Sequence, residues 1–557
     1  MRRFLTTICT AVAVTVVMAP PSRAADADLI FVGGRVYTMN PQQPRVEAIA
    51  VAGDRIVFAG EQDGALVYEG AGTRVIDAAG LTVLPGLVDA HAHLSGLGRA
   101  LRELDLKGTS SAEEIRGMVV ARGKDFAPGA WIQGRGWDQN DWEQKAFPTW
   151  RELEDTEANP VYLRRVDGHA AWVNRTALDV AGVRRDTKDP DGGRIERDAG
   201  GEPTGVLVDR AMDLVSAKIP KPSREERMQR VRMALAECRR YGLTGVHDAG
   251  TGEEDLEVYR ALLESGELTL RVYAMLDSDS TRFVREQVAR GPWSDPAHLL
   301  SVRAIKVYAD GALGSRGALL REPYSDEPGH MGLLQNPRPL IEDWAELAAK
   351  NGFQLCVHAI GDGGNRLVLD VYEAALRAHP SGDHRFRVEH AQVLALDDIP
   401  RFARLGVIAS MQPTHATSDM YWAEDRVGPQ RILGAYAWRK LIQSGAVISC
   451  GSDFPVESPN PLWGIFAAVT RQDHDGWPEG GWYPGERMTV TEAVAGFTRN
   501  AAFASFEEDI KGTIEVGKVA DLTVIDTDPF DVAASEILEA SVRYTVVGGR
   551  VVYEAGP

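Results

Sequence analysis

Nine short apolar runs alternate with helical stretches between Leu84 and Cys450, and this alternation constrains the fold more than any other feature of the chain. The runs are Leu84 to Ala90, Trp131 to Gly134, Val161 to Arg165, Thr244 to His247, Val302 to Tyr308, Gln354 to His358, Arg387 to His390, Val407 to Met411 and Ala446 to Cys450. Apolar strands separated by helices are the pattern of βα units around a parallel sheet that is covered on both faces. Eight of the nine would close an α/β barrel of the (β/α)8 TIM type. Capping boxes at Ser223 to Glu226 and Thr489 to Glu492 predict one helix ending near Gly242 and another over Ala493 to Ala502. Arg184 to Gly205, rich in Asp and Gly, predicts a β-hairpin inserted over one end.

The two ends of the chain follow another pattern. Leu29 to Val32, Arg35 to Met39, Ala48 to Val51 and Arg55 to Ala59 are short runs punctuated by Gly33-Gly34 and Gly53-Asp54, which predicts a small antiparallel unit. Ala520 to Ile525, Arg543 to Val547 and Arg550 to Tyr553 repeat the style, and Phe31-Val-Gly-Gly-Arg-Val36 is echoed by Val546-Val-Gly-Gly-Arg-Val551. The expected organisation is one β-sandwich made from residues 25–84 and 513–557, with the barrel, residues 85–512, inserted between them and its hairpin near residues 184–205. A chain of 557 residues with 44% apolar content can bury a core of that size.

Residues 1–24 stand apart. Arg2 and Arg3 precede an apolar run from Phe4 to Met18, followed by Pro20, Pro21 and the small-residue site Ser22-Arg23-Ala24, the layout of a secretory signal peptide. The run is short for a membrane span. An exported protein is therefore expected, periplasmic or secreted, with no membrane attachment after cleavage. Losing Arg2, Arg3 and Arg23 would move the formal charge from -19 to -22. So acidic a surface argues against nucleic acid or an anionic membrane as partner. Cys238, Cys356 and Cys450 are too widely spaced to form a disulfide framework.

Chemistry gathers at the predicted strand ends. Side chains alternate along a strand, so Asp89, His91 and His93 share one face of Pro85-Gly-Leu-Val-Asp-Ala-His-Ala-His93, and two imidazoles on one face can grip one cation. Lys306 lies in Arg303-Ala-Ile-Lys-Val-Tyr-Ala-Asp310, where burial would make a free ammonium costly. Carboxylation to a carbamate would neutralise it, while snorkelling to the rim is the alternative. His358 ends Leu355-Cys-Val-His before a glycine turn, His390 ends Phe386-Arg-Val-Glu-His, and Asp453 follows Ile448-Ser-Cys-Gly-Ser. A lone histidine at a strand end is ordinary. Several at successive strands would converge on the C-terminal rim of a parallel barrel.

The order His-x-His, Lys, His, His, Asp resembles the amidohydrolase superfamily. Pro85 to His93, Ala309-Asp-Gly-Ala-Leu-Gly-Ser-Arg316, His358-Ala-Ile-Gly-Asp362, Val388-Glu-His-Ala-Gln392, Gly451-Ser-Asp-Phe-Pro-Val456 and Gly517-Lys-Val-Ala-Asp-Leu522 are similar to motifs of its family-3 branch, which includes N-substituted formamide deformylases. The resemblance implies one or two divalent ions, zinc before iron or manganese, with His91, His93 and Asp453 around the more buried one. Lys306, N-carboxylated, would bridge to a second ion held by His358 and His390. Cys356 shares a face with His358 two residues deeper, as a further ligand or as core. The implied function is an exported metal-dependent hydrolase that cleaves an amide-type C–N bond of an N-acyl or N-formyl amine with activated water, Asp453 serving first as base and then as acid. Ester or lactone hydrolysis, a decarboxylase or isomerase on the same barrel, and an inactive metal-binding protein are the rival readings.

Loops beyond the strands would hold the substrate. Trp137, Asp138 and Trp142 follow one run, His169 lies in Val166-Asp-Gly-His-Ala-Ala-Trp172, Arg316 closes the Asp310 loop, and His415, Asp419 and Trp422 follow Met411. A packed lid is the alternative for each. The aromatic content points to a small molecule with an apolar or aromatic group. A second copy of the chain is a further candidate partner. His247-Asp248 is expected to be structural or a pocket wall.

Overall fold

Eight parallel strands stand side by side in chain order: β1 (Leu87–Ala92), β2 (Leu243–Thr251), β3 (Arg271–Asp277), β4 (Leu300–Tyr308), β5 (Gln354–Ala359), β6 (Arg387–His390), β7 (Ile408–Met411) and β8 (Ile448–Cys450). The computed structural model describes residues 26–556 apart from 157, 166–169, 191 and 192. The candidate signal peptide and His169 thus lie outside the described residues. The nearly closed ring is completed just past β8, where Asp453 N donates to His91 O over 2.8 Å. Gly451 permits this approach, since a Cβ there would stand 2.5 Å from His91 N. Asp89 reinforces the closure by accepting from Ser452 N and Ser452 Oγ across the seam.

Seven of the nine predicted runs contribute to the barrel, and two do not. Ile132–Trp137 and Val161–Arg165 belong to a separate six-stranded sheet ordered Gly193–Arg197, Pro203–Asp209, Ala170–Val173, Val161–Arg165, Ile132–Trp137, Leu104–Asp105. The predicted hairpin is the outer edge of that sheet. The eighth barrel strand is β3, which the charged residue at its start obscures in the sequence. Arg271 is buried there because its fork meets Asp521 at 2.5 and 2.9 Å. Lost counter-charge is what makes a buried arginine costly, and Asp521 supplies it.

The first predicted run divides at Gly86. Thr82–Pro85 pairs antiparallel with Leu522–Ile525 in an outer sheet, and β1 starts afresh at Leu87. A Cβ on Gly86 would fall 2.2 Å from Thr244 Oγ1, so the passage requires glycine. The outer sheet has the order Arg550–Glu554, Val542–Val547, Leu522–Ile525, Thr82–Pro85, Arg35–Tyr37, Arg45–Val46, and a four-stranded sheet of N-terminal residues packs on it. Leu29, Phe31, Ile49 and Val51 share one cluster with Val83, Leu522, Val524 and Val546, while the intervening Ile30, Ala48 and Ala50 turn to the other face. Both sheets are mixed rather than antiparallel, because Leu29–Val32 runs parallel to Arg74–Asp77 and Arg35–Tyr37 parallel to Thr82–Pro85. The two Val-Gly-Gly-Arg echoes also differ. Gly548-Gly549 makes a tight hairpin, whereas Gly33-Gly34 carries the chain from one sheet to the other.

The helix Arg224–Arg240 starts with the predicted capping box at Ser223 and Glu226. The helix predicted over Ala493 to Ala502 is two pieces, Val490–Gly496 and Arg499–Ala504. Its break comes from Phe497 O, which accepts from Val88 N of β1 at 2.7 Å. Among the described residues no helix is long and apolar enough to cross a membrane.

Candidate metal centre at the barrel rim

The C-terminal ends of β1, β4, β5 and β6 and the turn after β8 bring His91, His93, Lys306, His358, His390 and Asp453 to one place. His93 Nε2 lies 3.0 Å and His91 Nε2 3.6 Å from Asp453 Oδ1. Lys306 Nζ is 3.5 Å from His91 Nε2. The His390 ring centroid stands 4.7 Å from that of His91 and 4.4 Å from that of His358. His415, on the helix Pro413–Asp419 after β7, adds a fifth imidazole, with Nε2 3.8 Å from Asp453 Oδ2. The sequence assigned His415 to substrate contact, and the geometry places it among the donors.

Two triads have donor atoms close enough to hold a metal ion: His91, His93 and Asp453, and His390, His415 and Asp453, each within 4.8 Å. Asp453 is common to both. The fit is tested by the atoms left over. His358 Nε2 and His415 Nε2 are buried without a hydrogen-bond partner, and such atoms are costly unless something charged or polar meets them. A divalent cation satisfies lone pairs of this kind, and imidazole with carboxylate suits zinc. The donor set therefore fits a metal.

Protonation states support the same reading. Burial, then the nearby Lys306 charge, lowers the His91 pKa to about 4 and that of His358 to about 3. Burial and the neighbouring His358 and His91 push His390 well below the ordinary imidazole value. Imidazoles that stay neutral at pH 7 can offer a lone pair. His91 Nδ1 meets Glu389 Oε2 at 2.5 Å and His390 Nδ1 meets Gln412 Oε1 at 2.8 Å, so each ring donates from Nδ1 and turns Nε2 to the centre. Burial raises the pKa of Asp453, but His93, His91 and His415 outweigh it and hold the carboxyl well below its usual range.

Glu389 is the residue the sequence left without a role. It is fully buried, and Arg387 clamps it through Nε at 2.7 Å and a terminal nitrogen at 3.0 Å. Burial pushes the Glu389 pKa up, yet Arg387 and His91 together keep the carboxyl well below its usual range. Arg387 also reaches His247 Nδ1, Ala90 O and Ser410 Oγ, which gives His247 its structural place. Glu389→Gln keeps the shape and removes the charge that fixes the His91 tautomer. Metal affinity in that variant should fall by about 10–100-fold, as read by chelator competition.

Lys306 is almost wholly buried over the Tyr308 ring, and among the described residues no carboxylate lies within ion-pair distance of it. Burial lowers its pKa. Cys356 joins neither donor triad; its thiol sits in a small core cluster and donates to Gln354 Oε1 at 3.4 Å. Asp310 serves structure, accepting from the backbone of Leu319, Ile360 and Gly361, with its pKa raised to about 7 by burial.

Among the described residues, the other proposed substrate residues have packing or ionic partners of their own. Trp137 is fully buried, donates to Leu163 O and packs with Trp142 and Trp172 in the core of the six-stranded sheet, so it is not a pocket residue. Trp137→Ala should cost about 3–5 kcal/mol of stability by leaving a cavity; thermal unfolding should show the loss while metal content per folded protein is retained. Asp138 is held by Arg165 at 2.5 Å. Arg316 grips Asp326 with both arms of its fork, at 3.1 and 2.9 Å, and so secures its own loop.

The amidohydrolase family model matches residues 74–553. The chain belongs to the amidohydrolase family. It is 34% identical over 534 residues to the putative amidohydrolase YtcJ of Bacillus subtilis (strain 168), covering 94% of this chain and 99% of that one. It is 30% identical over 543 residues to the N-substituted formamide deformylase of Arthrobacter pascens, covering 95% and 98%, which supports the family-3 branch. The crystal structure of an uncharacterized metal-dependent hydrolase from Pyrococcus furiosus superposes with a TM-score of 0.75 at 30% identity, covering 90% of this chain and all of that one. Membership and fold make this family member a hydrolase.

Proposed function

We propose that the protein is an exported metal-dependent hydrolase of a non-peptide amide C–N bond, of the N-acyl or N-formyl amine type. The observation that carries this reading is Asp453, a buried ionised carboxylate shared by two donor triads at the mouth of the barrel. The likeness to a formamide deformylase favours an amide over an ester or lactone. Export rests on the composition of residues 1–24.

His91, His93 and Asp453 would hold one ion, zinc in the first instance, and His390, His415 and His358 offer donors for a second. When bound, a divalent cation supplies Lewis acidity and lowers the pKa of water from about 15.7 towards 7. Asp453 takes the proton of the attacking water and returns it to the leaving nitrogen, so one carboxylate acts as base and then as acid. Lys306, buried and without a carboxylate partner among the described residues, is the residue to gain CO2 on Nζ; the new N–C bond releases one proton and leaves an anionic carbamate beside His91. Glu389 and Arg387 keep His91 aimed.

A panel of N-formyl and N-acyl amines, with matched esters and lactones, tests the reading by amine or alcohol release from metal-loaded protein. Turnover of an amide supports it. Holoprotein that hydrolyses esters or lactones but no amide contradicts the bond assignment, and no hydrolysis of any kind contradicts the activity.

A further inference from the structure

His93 shares a cavity of about 500 Å³ with three arginines, a notable cluster in a chain of formal charge -19. Three separate elements deliver arginines there: Arg99 from the helix Leu94–Ala100, Arg230 from the helix Arg224–Arg240 and Arg135 from the strand Ile132–Trp137 of the six-stranded sheet. Arg102 lines a neighbouring cavity together with Arg99, Arg230 and the carboxylates of Glu103, Asp125 and Glu226. Ala249, Gly250, Pro455 and Val456 add apolar wall to the cavity that His93 lines.

The charges of Arg230, Arg102 and Arg99 are not fully met by their surroundings. Arg230 Nε and a terminal nitrogen of Arg102 are buried without a hydrogen-bond partner. Arg99, itself exposed, meets Glu103 only at 3.8 Å, and that carboxylate lies equally near Arg164. Burial, and then the like charges of Arg102 and Arg99, lower the Arg230 pKa, while Glu226 and Glu103 offset this only in part. The cavity lining also includes Asp248 and Asp255, whose carboxylates accept hydrogen bonds from neighbouring groups. Asp248 accepts from Leu94 N, Thr251 Oγ1 and Tyr259 OH, and Asp255 accepts from Ser95 Oγ.

We infer that the arginine-lined part of this cavity is a subsite for an oxyanionic group, so that the preferred substrate is an acylated amine carrying a carboxylate. The inference rests on the amide-hydrolase reading for the identity of the scissile bond. Its geometry follows the cavity: the amide lies by His93 and Asp453, an apolar spacer runs along Pro455 and Val456, and the carboxylate meets the arginine forks. Guanidinium groups match carboxylates with paired hydrogen bonds, and a partly desolvated set binds an anion in place of lost water. A cavity of this volume suits a small molecule.

The test compares 4-(formamidomethyl)benzoate with N-(4-methylbenzyl)formamide, which share a ring and a formamide and differ in charge. Binding is measured by calorimetry on metal-loaded Asp453→Asn protein, in which turnover is stopped. The carboxylate compound should bind about tenfold tighter or more, as expected for charge-assisted hydrogen bonds. Adding Arg230→Gln, or separately the exposed Arg135→Gln, should narrow that gap. In the active protein each of these two arginine changes should raise KM for the carboxylate compound with little effect on kcat. Equal affinity for the two compounds, or a preference that survives both arginine changes, overturns the inference. An arginine-dependent preference with no hydrolysis of either compound upholds the subsite and contradicts the amide-hydrolase reading. Hydrolysis of the neutral formamide without any preference does the reverse.

Discussion

Asp453→Asn should lower kcat by about 10²–10⁴-fold, the range of a lost general base and acid, with metal largely bound. The substitution keeps the length of the side chain and leaves one oxygen able to act as a ligand, while removing the proton acceptor. The His93 and His91 Nε2 atoms, 3.0 and 3.6 Å from Asp453 Oδ1, remain in place to hold the ion. Steady-state kinetics combined with elemental analysis separate these effects. Near-normal turnover would assign proton transfer to another group. Loss of the ion along with activity would make Asp453 chiefly a ligand.

Lys306→Ala is expected to remove most of the metal and most of the activity, and added acetate or propionate should restore part of both. Position is the reason: Nζ lies 3.5 Å from His91 Nε2, inside the ring of donors, with a buried stem and no carboxylate counter-ion among the described residues. A neutral alanine leaves room where a carbamate oxygen pair would bridge, and a small carboxylate can enter that space. Elemental analysis of the variant, with and without the added acid, reads both effects. Full metal content would contradict the bridging role, and absence of rescue would argue for a lysine that acts through its amine.

What the sequence revealed here depended on range. His91 and His93 share a face because strand alternation is local, and the order of the later donors follows from βα periodicity. Glu389 lay within a motif recognised in the sequence, but its role needs contact with His91, 298 residues earlier, and only closure of the barrel creates that pair. Trp137 has the composition of a pocket wall. The partners that bury it, Trp142 and Trp172, come together only when the six-stranded sheet forms. Strand β3 is hidden in the sequence because Arg271 interrupts its apolar pattern, and its neutralising partner Asp521 comes from the far end of the chain. His415 was recognised as a polar residue beyond β7, but the turn of the helix Pro413–Asp419, which brings it within 3.8 Å of Asp453, is a tertiary fact. The arginine cluster in the cavity that His93 lines has the same origin, since its members come from three elements that are distant in sequence.

Hydrolysis by this protein should depend on an ion held by the donors around Asp453. Zinc titration of chelator-stripped protein, followed by amine release from an N-formyl amine at each step, tests that dependence most directly. The expected result is no release from the stripped protein and recovery of activity that saturates at one or two equivalents of zinc. Full amide hydrolysis by protein shown to be free of metal would contradict it.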